Sequence, residues 1–166
     1  MSSTIRKAKK EDFPVLRMLW QFYEYHNSYY THEDIDHNGL FDIDDDYIMA
    51  TLEAKEECEV YLILSDQSVA GFLTIEPVEI RGKELLELAD LFILPKYRSR
   101  GVASFAIKNM VFREDKAWHI SVYQGDTLAL AFWKRIFHKL PFRSVSEISP
   151  PEVEGFYEFV VEAVAL

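Results

Sequence analysis

Apolar residues change their spacing several times along this chain, and each change marks an element. Residues 3–9 read as a short first strand. Asp12 then offers an N-cap, with Pro14 in the first helical turn. Val15, Leu16, Leu19, Trp20, Phe22 and Tyr23 follow at helical spacing, and the pattern frays near His26-Asn27-Ser28. An acidic loop over residues 31–46 leads into a second short helix over 47–54. Three strand-like runs come next, over 59–65, 69–78 and 84–94, joined by the turn signals Asp66-Gln67-Ser68 and Arg81-Gly82-Lys83. Short connections of this kind predict an antiparallel meander. Pro95 ends the last run, and a tight basic loop, Arg98-Ser99-Arg100-Gly101, precedes a helix over 102–113. A strand over 118–123, a helix capped by Asp126, a short strand over 142–146 and a final strand over 156–164 complete the order.

The 166 residues show no repeat, low-complexity segment or linker, so one mixed α/β domain over 1–166 is expected. Hydrophobic residues make up 49%, enough to build a core. The formal net charge of −10 argues against nucleic acid and anionic membrane as partners, since both require a basic face. It suits a cationic partner instead. Cys58 is the only cysteine, so no intramolecular disulfide can form. It reads as a packing residue. The N-terminal residues carry no apolar run and no stretch is apolar for long enough to span a membrane, so a cytoplasmic location is expected.

The chemically informative segment is Leu91 to Phe105, where a strand runs into a basic, glycine-containing loop and a helix begins at once. Such a loop aims backbone N–H groups at one point, and the helix N-terminus adds partial positive charge there. That combination suits a phosphate or pyrophosphate, with Arg98 and Arg100 adding charge and Gly101 permitting close approach. The chain contains neither G-x-x-x-x-G-K-[ST] nor G-x-G-x-x-G, so a P-loop or a dinucleotide fingerprint is unsupported.

Arg98-x-x-Gly101-x-Ala103 resembles the [Q/R]-x-x-G-x-[G/A] signature of the GNAT acetyltransferases. The lead-in Ile93-Leu94-Pro95-Lys96-Tyr97 is similar to the family's approach to that loop, and the element order is similar over nearly the whole chain. Asp126-x-x-Ala129-x-x-Phe132-Trp133 resembles the family's later N-x-x-A-x-x-F-Y helix, with Asp for Asn and Trp for Tyr. The resemblance implies a mostly antiparallel seven-stranded sheet, splayed between its fourth and fifth strands and flanked by about four helices. It implies acetyl-CoA as cosubstrate and an amine as acceptor, with room for a homodimer. It places the pyrophosphate on Arg98, Ser99, Arg100, Gly101, Val102 and Ala103, the pantetheine arm along Leu91 and Ile93, and further cofactor contacts at Asp126 and Trp133.

Amine acetylation requires a neutral amine, an oxyanion donor and a fate for the leaving thiolate. Glu87 is the candidate base: some family members carry a Glu at a similar strand position. Strict alternation puts it on the side of Ala89, Leu91 and Ile93. Glu84 and Asp90 are weaker candidates. The family's usual acid is a Tyr where Trp133 stands, and an indole has no useful proton to give. That departure leaves a second reading, a module that holds acetyl-CoA or CoA without turnover. Tyr25, Tyr29 and Tyr30 are candidates for an acceptor wall, because in this family the first helix and its loop cover that side. The five histidines share no ligand spacing and read as bland.

Residues 34–45 place Asp34, Asp36, Asn38, Gly39, Asp42 and Asp45 at positions 1, 3, 5, 6, 9 and 12 of an EF-hand-type loop. No clean helix precedes it, and position 12 lacks a methylene relative to the usual Glu, so an Asx-rich surface loop is the expected state and no metal is assigned. The seven acidic residues between Glu33 and Asp46 also suit attraction of a cationic amine.

Overall fold

The computed structural model describes the full chain, residues 1–166. Its elements are β1 (Ser3–Lys7), α1 (Phe13–Thr31), α2 (Asp45–Leu52), β2 (Glu59–Ser65), β3 (Ser68–Ile80), β4 (Lys83–Ile93), α3 (Val102–Val111), β5 (Lys116–Tyr123), α4 (Thr127–Lys139), β6 (Ser144–Ile148) and β7 (Phe156–Ala163). The seven strands form one sheet in the order β1-β2-β3-β4-β5-β7-β6. All neighbours are antiparallel except β4 and β5, which run parallel. No helix is long and apolar enough to cross a membrane.

The sheet separates two apolar clusters. One face packs under α3 and α4, through Val102, Ala106, Ile107, Met110, Trp133, Ile136 and Leu140, against Ile63, Leu73, Ile75, Ile120 and Val161; this cluster has 23 buried residues. The other face packs under α1 and α2, through Leu16, Leu19 and Ile48, against Val60, Leu62, Phe72 and Phe92; it has 9. The larger cluster therefore supplies most of the apolar burial that stabilises the fold.

Several local expectations change. α1 does not fray at residues 26–28 but continues to Thr31, ending on His32 at φ 59°. His26 and Tyr30 meet edge to face one turn apart and the His26 ring is 6.4 Å from that of Phe92, so tertiary packing extends a helix that polar residues would weaken alone. Asp12 does not cap α1 with its side chain. Its carboxylate accepts from the Lys9 N–H at 2.8 Å and from Arg6 at 2.7 Å instead. β1 ends at Lys7 rather than residue 9. The largest correction lies in β4. Thr74 pairs with Asp90 and Ile75 with Leu88, so Ala89 is an extra residue, a β-bulge. The bulge reverses the alternation: Leu86 and Leu88 join Leu91 and Ile93 on the α3/α4 face. Glu87 therefore stands on the α1 side with Asp90 and Phe92, opposite to the face that strict alternation predicts.

Candidate functional site

β4 and β5 pair only through Leu86 with Trp118 and Glu87 with His119. Beyond those pairs the two parallel strands part, so the edge of β4 from the bulge to Ile93 faces an opening rather than a neighbour. Backbone groups left free in this way normally require a partner. The opening leads to the loop at the end of β4. There Arg98 donates from Nε to the Ile93 carbonyl at 2.7 Å, and its guanidinium lies 5.5 Å above the Phe92 ring. The Arg98 side chain is thus tied back onto the strand, while Arg100 is exposed. Ser99 at φ 58° and Gly101 at φ 78° are left-handed, and α3 starts immediately afterwards at Val102. A Cβ built on Gly101 meets nothing within 4 Å, so open space lies over the start of α3. The first-turn N–H groups of Val102, Ala103 and Ser104 have no intrahelical acceptors, which makes this an anion-binding end. The residues present therefore fit a pyrophosphate.

Asp126 caps α4, accepting from the Ala129 N–H at 2.9 Å. Tyr30 lies beside the same carboxylate, and its phenol pKa is raised by burial and then by Asp126. Tyr29 and Tyr30 meet Tyr123 and His32 around a cavity of about 580 Å³ at the end of β5. Tyr25 is not among its lining residues and is 73% exposed. Trp133 is buried at 8% exposure, with its ring 5.4 Å from Phe132 and 5.9 Å from Phe137. Leu91 and Ile93 direct their side chains into the same core, and Arg98 occupies the Ile93 carbonyl.

The α1 side of the strand junction is polar. Glu87 comes within 3.1 Å of His119 Nδ1, and Glu158 within 2.8 Å of His119 Nε2. The other oxygen of Glu158 accepts from the Val153 N–H at 2.9 Å. Burial lowers the His119 pKa, but the hydrogen bond and charge of Glu87, then those of Glu158, outweigh it and leave the pKa raised. The expectation that all five histidines are bland fails here. β5 alternates, so Trp118, Ile120 and Val122 enter the large core and His119 points the other way. Only the register of three strands reveals its partners. A carboxylate at position 158, inside the apolar run 156–161, was the one available signal.

Asp90 accepts from Thr74 Oγ1 at 2.6 Å. Its carboxyl is raised by burial, opposed by the Thr74 and Tyr23 hydroxyls, and raised again by Glu87. Burial also raises Glu76, with Glu87 and Asp90 adding to the effect, and raises Glu24, with Glu33 and Asp90 adding. These carboxylates therefore share one negative field. Glu84 is exposed and pairs with Glu79 at the far end of the strand. Cys58 is buried, and its thiol is pushed up to about 11 by burial and the charge of Glu76, which suits packing and not nucleophilic attack.

The acidic loop is internally satisfied. Asp36 accepts from the N–H groups of Asn38 and Leu40 at 2.7 and 3.0 Å, an Asx turn, and Gln21 clamps both backbone polar groups of Phe41. No three His, Cys, Asp or Glu side chains converge as a metal-binding group.

A model of the acetyltransferase (GNAT) family matches residues 15–138. Among solved structures, an acetyltransferase from Thermus thermophilus superposes with a TM-score of 0.67 at 17% identity, covering 98% of this chain and 97% of that one. Arabidopsis thaliana NAA60 in complex with acetyl-CoA superposes at 0.62 with 15% identity, covering 97% and 98%. An aminoglycoside acetyltransferase, meta-AAC0020 from an uncultured soil metagenomic sample, in complex with sisomicin, superposes at 0.55 with 16% identity, covering 90% and 97%. Comparison with curated proteins gives no significant match.

Proposed function

This chain belongs to the acetyltransferase (GNAT) family, and we propose that, as one domain over 1–166, it passes an acetyl group to a primary amine of a cationic acceptor by direct attack in a ternary complex. The family's cosubstrate is acetyl-CoA, which supplies a thioester open to attack by an amine. The observation that carries the reading is the parting of β4 from β5 directly above the left-handed loop at Ser99 and Gly101.

Arg98, Ser99, Arg100, Gly101, Val102 and Ala103 hold the pyrophosphate: the backbone of the loop and of the first turn of α3 donates, and Arg100 adds charge. The backbone of Leu91 and Ile93 bonds the pantetheine arm. Asp126 fixes the start of α4, and Trp133 closes the cleft wall from within the core. Glu87 acts as the base that removes the acceptor's ammonium proton. The bulge leaves Ala89 without a partner on β3, and its backbone N–H is the oxyanion donor in this reading. Glu24, Glu76 and Asp90 share the negative field around Glu87 and favour a positively charged acceptor.

Trp133 favours one rival, a module that binds CoA without turnover, because α4 presents no phenol to the cleft. Thiol release with a panel of mono- and polycationic amines separates the two. Turnover with at least one cationic amine is expected, and acetyl-CoA binding with no thiol release from any amine would establish the rival. Calorimetry tests the loop: wild-type protein should bind acetyl-CoA, and Gly101→Glu should not, since it adds bulk, charge and backbone strain at φ 78°. Wild-type protein that binds no acetyl-CoA would overturn both readings.

A further inference from the structure

Glu158 has no place in the reaction as described, yet it is 1% exposed in the middle of β7. A buried carboxylate is costly unless it is paired and hydrogen-bonded. Glu158 meets that condition with two partners, the Val153 N–H and His119 Nε2. His119 is 3% exposed, and its remaining nitrogen faces Glu87, whose side chain is 16% exposed. The chain of contacts thus runs from a sealed carboxylate, through a sealed imidazole, to a carboxylate that keeps some exposure to solvent.

Each nitrogen of His119 faces a carboxylate oxygen, and each contact requires a proton between its two atoms. Two protons among three groups describe an imidazolium flanked by two carboxylates. An imidazolium buried beside Glu87 alone would tend to lose its proton to desolvation. The second carboxylate opposes that loss. The charged groups facing the ring are Glu87 from β4 and Glu158 from β7. Glu76 of β3 and Asp90 of β4 act on it through Glu87, and Glu24 and Tyr23 of α1 reach Asp90.

We propose that Glu158 is a positioning residue for acetyl transfer: it keeps both nitrogens of His119 protonated, so that His119 donates to one oxygen of Glu87 and leaves the other free to take the acceptor's proton. In that step an N–H bond of the acceptor ammonium breaks and an O–H bond forms on Glu87. The amine keeps the electron pair, His119 remains an imidazolium and Glu158 remains a carboxylate. The proposal rests on the reading of Glu87 as the base.

The test follows the His119 ring by NMR in the intact protein, assigned by the signal lost in His119→Asn, alongside the pH dependence of kcat/KM. In wild-type protein the ring should keep both protons to a pH above the ordinary histidine value. In Glu158→Gln, which can still accept from Val153, the ring should lose a proton at lower pH. Its kcat/KM should fall roughly tenfold or more, bounded by the ~10²–10⁴-fold that base catalysis contributes in full, with a displaced pH profile and unchanged acetyl-CoA affinity. Glu158→Asp, which keeps the charge, should recover part of the profile. A wild-type ring that titrates at or below the ordinary value overturns the proposal even if Glu158→Gln fails to fold. So does a Glu158→Gln protein that is less stable yet keeps the wild-type pH profile. Glu87→Gln with wild-type rate and profile would remove the base reading and with it the catalytic part. The His119 titrations would still show whether Glu158 sets the ring's protonation.

Discussion

The two faces of the sheet are built by different rules. Under α3 and α4, Ile107, Val111, Ile120 and Val161 make a dry, continuous core whose alternation is visible in the strands themselves. Under α1, the same strands present Thr74, Glu76, Asp90, Glu87, His119 and Glu158, and the apolar cluster beside them is less than half the size. One face buys the stability that lets the other carry charge. Two glycines differ in a similar way: a Cβ at Gly71 would collide with the Phe92 carbonyl, so close strand packing depends on its absence, whereas a Cβ at Gly101 would meet open space.

If this division holds, substitutions on the two faces should separate rate from stability. The largest effect is expected on the polar face. Glu87→Gln should lower turnover by ~10²–10⁴-fold near neutral pH, with partial recovery at alkaline pH as free amine accumulates. A pH–rate profile superimposable on wild type would show that Glu87 is a spectator. On the apolar face, Ile107 is fully buried, so Ile107→Ala should cost ~2–5 kcal/mol in denaturant unfolding. The surviving folded fraction should retain most of its turnover. A large rate loss in fully folded Ile107→Ala would break the division.

The polar face should also leave its own mark on the pH dependence of stability. The Asp90 pKa is raised, so folded protein binds that proton more tightly than unfolded protein does. Its contribution is most favourable below the ordinary carboxyl value of ~4 and is lost as pH rises through the folded pKa. Asp90→Asn removes this dependence while keeping an acceptor for Thr74. Its melting temperature should therefore match or exceed that of wild type at pH 7, with the difference shrinking as pH falls through the carboxyl range. A variant less stable at pH 7 than at pH 4, relative to wild type, would refute the desolvation argument. His119 adds a second limb of the same sign, since its pKa is also raised: its stabilisation is complete below ~6.5 and lost as pH rises through the folded value.

The smallest effect is expected from Trp133, on the α3/α4 face. Trp133→Phe keeps an aromatic ring against Phe132 and Phe137 and removes only the indole N–H and some area. It should weaken acetyl-CoA binding modestly and leave kcat largely intact. A large kcat loss at unchanged cofactor affinity would show that the indole takes part in the chemistry.

Element order, the meander, the basic loop and its glycine were legible in the sequence because each is local. A run of apolar residues, a turn signal or a left-handed position depends on neighbours a few residues away. Glu87 was legible as a candidate, but its face was not. That depended on one extra residue, Ala89, inserted against β3, and a single insertion inverts a period-two pattern without changing composition. His119 and Glu158 were legible as residues and illegible as a pair. Their meeting depends on the order β4-β5-β7, which brings positions 87, 119 and 158 together from three strands far apart in the chain. The sequence by itself determined the family, the basic glycine-containing loop after β4 and the apolar scaffold, since these follow from spacing along the backbone. Only the tertiary structure decided which polar groups are sealed from water and which partners they find there, because desolvation and pairing are properties of strands brought side by side.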